Sequence, residues 1–364
     1  MKTLFDQTTL KHLEISNRFI RSATWEGLAS TNGAVTPALI DAMVALAKGG
    51  VGLIITGHSY VRTDGQAGPN QLGAYSDSLI PGLKEMTEAV HAAGGRIIMQ
   101  LTHAGKFASK QLTGQTALAV SHAKDLSDTS VREITIEDIQ ELVVAFAEAA
   151  GRAKAAGFDG VQIHSGHGYL LSQFLSPAFN QRQDEYGGSI NNRSRIHLDI
   201  IQAMRRIVGN EYPILVKLNC QDFIENGLNL DDSLQVAHRV ANAGVDAIEL
   251  SGGVINTGRL EPSRTGINSL EREAYYRNEA RAFKREIRIP LILVGGIRSY
   301  ELAEKLVENE EVDYISMCRP FIMEPGLINR WASGDHSKAL CKSDNACLKS
   351  GRKGTGVRCL VKLV

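Results

Sequence analysis

Residues able to do chemistry gather at the ends of short apolar runs. One run ends Gln100-Leu-Thr-His103 and the next ends His164-Ser-Gly-His167-Gly-Tyr169. A later run contains Lys217, another ends Gly295-Gly296, and the last ends Cys318-Arg319-Pro320. Singly, a strand-end Gln or His is more often a loop cap than a catalyst. Several such ends on one face of a fold are harder to assign to structure alone. N–H groups freed by Gly295 and Gly296, with the Arg319 guanidinium, would cradle an anion, and a phosphate is the favoured reading. A tight turn and a rim salt bridge are the plainer alternatives. His164 and His167 have no third ligand close in sequence, so hydrogen-bond donation ranks above metal ligation. Two imidazoles could donate to one carbonyl oxygen and stabilise a developing enolate. Tyr169 could protonate the neighbouring carbon, or simply pack with an exposed hydroxyl.

The elements that must position these residues are legible. β-Branched, continuously apolar runs predict strands at 18–23, 51–57, 96–101, 160–164, 214–218, 247–251, 291–294 and 314–318. Amphipathic segments lie between them, near 37–48, 79–93, 135–156, 193–208, 231–243, 272–285 and 300–307. In the third, Thr135 is the expected N-cap with Asp138 three residues on, and Ile139, Leu142, Val143, Phe146 and Ala150 form one stripe. Gly49, Gly94, Gly157, Gly209 and Gly244 follow helical segments as expected left-handed C-caps. The alternation predicts an α/β fold, a single (β/α)8 TIM barrel with long βα loops after strands 3 and 4 and a C-terminal tail. A doubly wound sheet is second, because no G-x-G-x-x-G or Walker A pattern follows a strand. The barrel is expected over 1–335 and the tail over 336–364.

The chain has 364 residues, 43% hydrophobic and 22% charged, with Lys+Arg 40 against Asp+Glu 40. A balanced charge gives no built-in attraction to nucleic acid or anionic membrane. No apolar run approaches a bilayer span, and the first twenty residues lack a signal-peptide layout. A cytoplasmic protein acting on a small molecule is expected, with homo-oligomerisation left open. Five cysteines, an odd number, argue against a disulfide framework.

The segment Asp159-Gly-Val-Gln-Ile-His164-Ser-Gly-His167-Gly-Tyr169-Leu-Leu-Ser-Gln-Phe-Leu-Ser-Pro177, followed by Asn180, Arg182 and Asp184-Glu-Tyr-Gly-Gly-Ser189, resembles the central signature of the old yellow enzyme family. Asn17-Arg18, Gln100 with His103-Ala-Gly105, Leu291-Ile-Leu-Val-Gly-Gly296 and Cys318-Arg319-Pro320 match in the same order. The resemblance implies FMN across the barrel mouth and NADH or NADPH as co-substrate. It places Ser22, Ala23, Thr24 and Gly57 near the flavin ring, Gln100 at its pyrimidine edge and Lys217 near N1 and O2. It gives the phosphate to Gly295, Gly296, Cys318 and Arg319. It assigns His164 and His167 to the substrate oxygen, with Tyr169 as acid. The implied activity is ping-pong reduction of activated alkenes, α,β-unsaturated carbonyl or nitro compounds. Three positions depart from the usual pattern. Trp25 would crowd the substrate pocket or pack in the core, Cys318 replaces a usual Gly, and Lys217 often appears as Arg in relatives.

Cys341, Asp344, Cys347 and Cys359 form C-x2-D-x2-C-x11-C. Larger relatives similar to trimethylamine dehydrogenase and dienoyl-CoA reductase carry four cysteines there for a [4Fe–4S] cluster, and continue into a further nucleotide-binding domain. With Asp344 at the second position and Val364 last, the expectation is a vestigial site holding no metal, packed on the barrel. A three-Cys, one-Asp cluster or a zinc site is the alternative. The alternatives to alkene reduction are an NADH:flavin oxidoreductase with another acceptor, a flavin-free barrel lyase using Lys217 as a Schiff-base amine, and a non-catalytic barrel.

Overall fold

The computed structural model describes residues 2–121, 131–352 and 354–361. Among them, eight parallel strands close into a barrel: β1 (Phe19–Arg21), β2 (Leu53–Ile55), β3 (Ile97–Thr102), β4 (Val161–Ser165), β5 (Ile214–Asn219), β6 (Ala247–Ser251), β7 (Leu291–Val294) and β8 (Tyr314–Met317). β8 pairs with β1 and β2 pairs with β3, which closes the ring. Every one of these strands lies inside or across a segment that the sequence predicts.

Helices α1 (Pro37–Lys48), α2 (Ile80–Ala92), α3 (Ile136–Ala155), α4 (Arg195–Val208), α5 (Leu230–Asn242), α6 (Arg277–Glu286), α7 (Tyr300–Glu308) and α8 (Leu327–Ala332) lie between and after the strands. α3 starts as expected. The Thr135 side chain accepts from Asp138 N, Asp138 returns a bond to the cap backbone, and Ile139, Leu142, Phe146 and Ala150 are buried. Val143 is only partly buried at the edge of that stripe. One glycine expectation fails. Gly49 is right-handed at φ −77°, and the left-handed residue is Gly50 at +86°. Gly49 is needed for space, since a Cβ there would lie 1.9 Å from Pro325 O.

Side chains alternate along a strand, so residues two apart share the barrel interior. Ile20, Ile98, Leu215, Ala247 and Tyr314 form an apolar layer. Two residues further along the same strands stand Ser22, Gln100, Lys217, Glu249 and Ser316, all buried. A hairpin of Thr8–Leu10 and Leu13–Ile15 adds Leu10 and Ile15 to the apolar layer and plugs that end. The barrel is therefore dry at its base and polar at its mouth.

The loop after β3 carries a parallel pair, Ala117–Ala119 with Val131–Glu133. The loop after β4 carries short helices Leu170–Leu175 and Ile190–Arg193. A third long connection, between β6 and α6, was not foreseen. The predicted helix start at Arg272 is displaced to Arg277, because residues 270–272 form a single tight turn. Among the described residues no helix is long and apolar enough to cross a membrane.

Candidate active site

The polar layer at the mouth is one connected network. Gln100 Nε2 donates to Gln162 Oε1 at 2.6 Å, and Gln162 Nε2 donates to Glu249 Oε2 at 2.9 Å. Ser316 donates to Glu249 Oε1 at 2.8 Å, and Lys217 Nζ lies 3.3 Å from the same oxygen. Lys217 also donates to Ser22 Oγ at 2.7 Å. Burial works to raise the Glu249 carboxyl, but Lys217 and the hydrogen bonds from Ser22, Gln162 and Ser316 hold it below its ordinary value. Lys217 and Glu249 are register partners on adjacent strands. A charged residue inside each of two neighbouring apolar runs was a readable signal for this pair, and the sequence reading used only half of it. The pair also removes support for a Schiff-base lyase. Such a lysine needs a lone pair free to attack, and this Nζ is engaged by Ser22 and Glu249.

Two adjoining spaces open above this layer. A small cavity of about 80 Å3 is lined by Ser22, Ala23, Lys217, Gly296, Cys318 and Arg319, and also by His167 and Ser251. Gly295 and Gly296 take φ of 147° and 73°, and a Cβ on Gly296 would lie 2.8 Å from the Tyr275 ring. Arg319 Nη1 donates to Arg264 O and to Asn345 Oδ1, both at 2.8 Å. Thr24 does not line this cavity; its Oγ1 lies 2.5 Å from Cys318 Sγ and donates to Ser22 O. Gly57 is also set apart. Its N–H donates to Glu26 Oε1, which also takes Arg21, and a Cβ there would meet Thr24 O at 2.6 Å.

The second space is an open cleft of about 590 Å3, lined by Trp25, His58, Phe107, Tyr169, Ile255 and Leu348 among others. Pro262 and Ser263 line both spaces. The Trp25 indole donates to Pro69 O at 3.2 Å and lies close against the backbones of Gly68 and Gly351, so it both packs and shapes the cleft. His164 is buried, with its ring 5.1 Å from both the His167 and Tyr169 rings and 6.3 Å from His58. His164 Nδ1 has no hydrogen-bond partner. His167 sits at φ 64°, its N–H bonded to Asn219 Oδ1 and its Nε2 2.7 Å from Ser251 Oγ. Tyr169 OH is 3.5 Å from His58 Nε2.

Burial dominates the titration of this cluster. It pushes His58 down to about 4, with Lys217 adding to the effect. His164 and His167 are held well below the usual imidazole value by burial and by neighbouring cationic groups. Tyr169 is pushed up to about 12 by burial. At neutral pH the cluster thus holds neutral imidazoles and an un-ionised phenol, with His58 and Tyr169 lining the cleft and His167 the small cavity. His58 is the member that sequence reading missed. It follows β2 in Thr56-Gly-His58, a strand-end His like those that were noticed.

His103 stands apart. It is buried against Asp64 at 3.1 Å and accepts from Gly105 N, so it clamps its loop. Cys341, Asp344, Cys347 and Cys359 border one further space of about 10 Å3 beside Arg319 and Met323. Cys359 donates to Met323 Sδ, Asp344 caps Ala346 N, and burial with the nearby thiols pushes Cys347 up to about 11. Among the described residues no group of three or more His, Cys, Asp or Glu is arranged to hold a metal ion.

The parallel barrel thus carries a glycine–arginine turn after its last two strands and, beside it, a cleft lined by His58 and Tyr169. The chain belongs to the NADH:flavin oxidoreductase / NADH oxidase family, whose model matches residues 3–337, and with it to the old yellow enzyme family. It is 36% identical to the NADH oxidase of Thermoanaerobacter brockii, over 99% of this chain and 56% of that protein. It is 34% identical to the NADPH dehydrogenase of Listeria welshimeri, over 89% and 93% respectively. Among solved structures, a 2-naphthoyl-CoA reductase complex superimposes with a TM-score of 0.92 at 26% identity, covering 99% of this chain and 57% of that one. Morphinone reductase in complex with tetrahydroNAD gives 0.76 at 26% identity, covering 92% of each. The chain spans about half the length of the first two curated relatives it matches.

Proposed function

We propose that this protein binds FMN at the barrel mouth and passes reducing equivalents from NADH or NADPH to an electron-poor small molecule, an activated alkene. The observation that carries the reading is the junction of two unlike spaces. One holds Lys217 and the Gly296–Arg319 turn; the other holds His58 and Tyr169 with the unpartnered Nδ1 of His164 behind them. The donors fit the cofactor. Glycine backbone and a guanidinium suit a phosphate, and a buried ammonium suits an electron-rich ring edge. FMN, when bound, would supply the hydride carrier.

The residues of the chain do the rest. Neutral His164 and His167 bind a carbonyl or nitro oxygen and stabilise charge that develops on it. Asn219 and Ser251 hold His167 in its left-handed conformation and fix its ring. Tyr169 keeps its proton at neutral pH and delivers it to the carbon next to the activating group. Trp25, Phe107 and Leu348 exclude water around the acceptor. One mouth serves nicotinamide and acceptor in turn, which gives a ping-pong order.

The absorption spectrum of purified protein, followed by anaerobic titration with NADH and with NADPH and re-oxidation by enones and nitroalkenes, tests this. Flavin bands that bleach with either nicotinamide and return with an enone are expected. Colourless protein that takes up no added FMN would overturn the reading. Bleached flavin that only other acceptors re-oxidise would leave an NADH:flavin oxidoreductase of different acceptor range.

A further inference from the structure

The C-terminal segment does more than cover the barrel, and the contacts of Asn345 show where. Its backbone is left-handed at φ 59°, a conformation that Asn tolerates better than most side chains. Its Oδ1 accepts from Arg319 Nη1 at 2.8 Å, and its Nδ2 donates to Ser263 O at 2.7 Å. Only one orientation of the amide satisfies both bonds, since a guanidinium only donates and a carbonyl only accepts. Neither a carboxylate nor an aliphatic side chain could do both.

The two groups that Asn345 ties together are those that separate and serve the two spaces. Ser263 lines both the cleft and the small cavity, and Arg319 lines the cavity. The loop is pinned twice more, by Tyr275 OH to Pro262 O at 2.7 Å and by Gly266 N to Ser343 O at 3.2 Å. An arginine has rotational freedom in a long side chain, and its planar fork is useful only when aimed.

We propose that Asn345 is a positioning residue for the phosphate monoester of the cofactor: it aims the Arg319 guanidinium at the Gly295–Gly296 turn and fixes Ser263 as the wall between cofactor and acceptor. The inference rests on the FMN reading above. It makes the tail part of the cofactor site. It also predicts selectivity, because only a phosphorylated flavin gains from an aimed guanidinium.

The test compares FMN with riboflavin, which lacks the phosphate, on apoprotein by flavin-fluorescence titration. Wild type should prefer FMN. Asn345→Ala should narrow that preference by about tenfold or more, the scale of one charge-assisted hydrogen bond. Riboflavin affinity should stay close to wild type. Asn345→Asp keeps the polar volume and should also narrow it, because its carboxylate would pair with Arg319 and face the phosphate. A merely structural role would weaken both flavins alike, or lower the unfolding midpoint of the apoprotein, without changing their ratio. An unchanged ratio in both variants, with wild type preferring FMN, overturns the role of Asn345 alone. Wild-type protein that takes up neither flavin overturns the cofactor reading and this inference together.

Discussion

The two ends of the barrel mouth both hold buried nitrogens without partners, Arg264 Nε and Arg298 Nε at one and His164 Nδ1 at the other, and differ in how their side chains are tied. At the Arg319 end the guanidinium has two acceptors on one nitrogen, Asn345 uses both functions of its amide, and Tyr275 and Ser343 hold the loop between. At the His164 end a buried ring nitrogen and the hydroxyl of Thr102 have no partner, and the Tyr169–His58 approach is long at 3.5 Å. Buried polar groups without partners cost stability, so they persist where something else repays the cost. The cross-tied Arg319 end suits the fixed group of the proposed function, and the loosely tied His164 end suits one that comes and goes.

The largest expected effect falls on the His164 end. Tyr169→Phe should slow acceptor reduction about 10²- to 10⁴-fold, the range of a lost general acid, and leave flavin reduction by the nicotinamide near wild type. Stopped-flow traces of the two half-reactions measure this. A variant slowed mainly in the reductive half would reverse the roles assigned to the two ends.

Next comes the polar layer beneath both ends. Glu249→Ala leaves Lys217 buried without its carboxylate partner and Gln162 without an acceptor. Loss of about 3–5 kcal/mol is expected, read by urea unfolding of the apoprotein. Glu249→Gln keeps one carbonyl acceptor, enough for Ser316 or for Gln162 but not for both, and should lose less. Equal stability of Glu249→Ala and wild type would mean that this layer does not support the mouth.

A smaller effect is expected for His164→Ala with His167→Ala. Phenol-type ligands, which mimic a charged acceptor oxygen, should bind about tenfold or more weakly while FMN stays bound. Charge-transfer absorbance of the holoprotein with phenols reports the first quantity, and ultrafiltration the second. Loss of FMN instead would show that the imidazoles belong to the holding end.

The sequence made the holding frame easier to read than the chemistry at its edges. Each barrel strand was found because a strand covered on both faces is a continuous apolar run, as in Leu291–Val294. α1 matches its expected range of 37–48, and in the structure Pro37 opens it and Thr36 caps it. His164, His167, Tyr169 and Arg319 were found because they end such runs. His58 ends one too, but as a single His after a Gly it looked like punctuation. Glu249 was passed over although it lies inside a strand as Lys217 does, and its pairing with Lys217 shows only across the register. Asn345 had no readable signal. Its role exists only because the chain folds back 82 residues after Ser263 and meets it, a contact that no local periodicity encodes. The connection between β6 and α6 was mistaken in part for helix for the same reason. Tyr275 and Tyr276 there serve Pro262 and Gly252 rather than a helix face.

The finest test of the comparison uses pH. His58 has a folded value near 4 against an ordinary 6.5, and His197, buried beside Ser165 below the same end, lies near 3. Between 6.5 and about 4 the unfolded chain takes up protons on these groups and the folded chain does not. The stability contributed by keeping them neutral is fully present above 6.5 and is lost progressively as pH falls, levelling for His58 below about 4. Each such group adds a slope of about 1.4 kcal/mol per pH unit inside its window. His58→Gln should therefore flatten the apoprotein's stability–pH curve by close to one proton between pH 6 and 5. Asn345→Ala, which removes no titratable group, should shift the curve without changing its slope. Thermal unfolding across that interval measures both. Equal slopes for His58→Gln and wild type would place the proton-refusing environment somewhere other than the acceptor cleft.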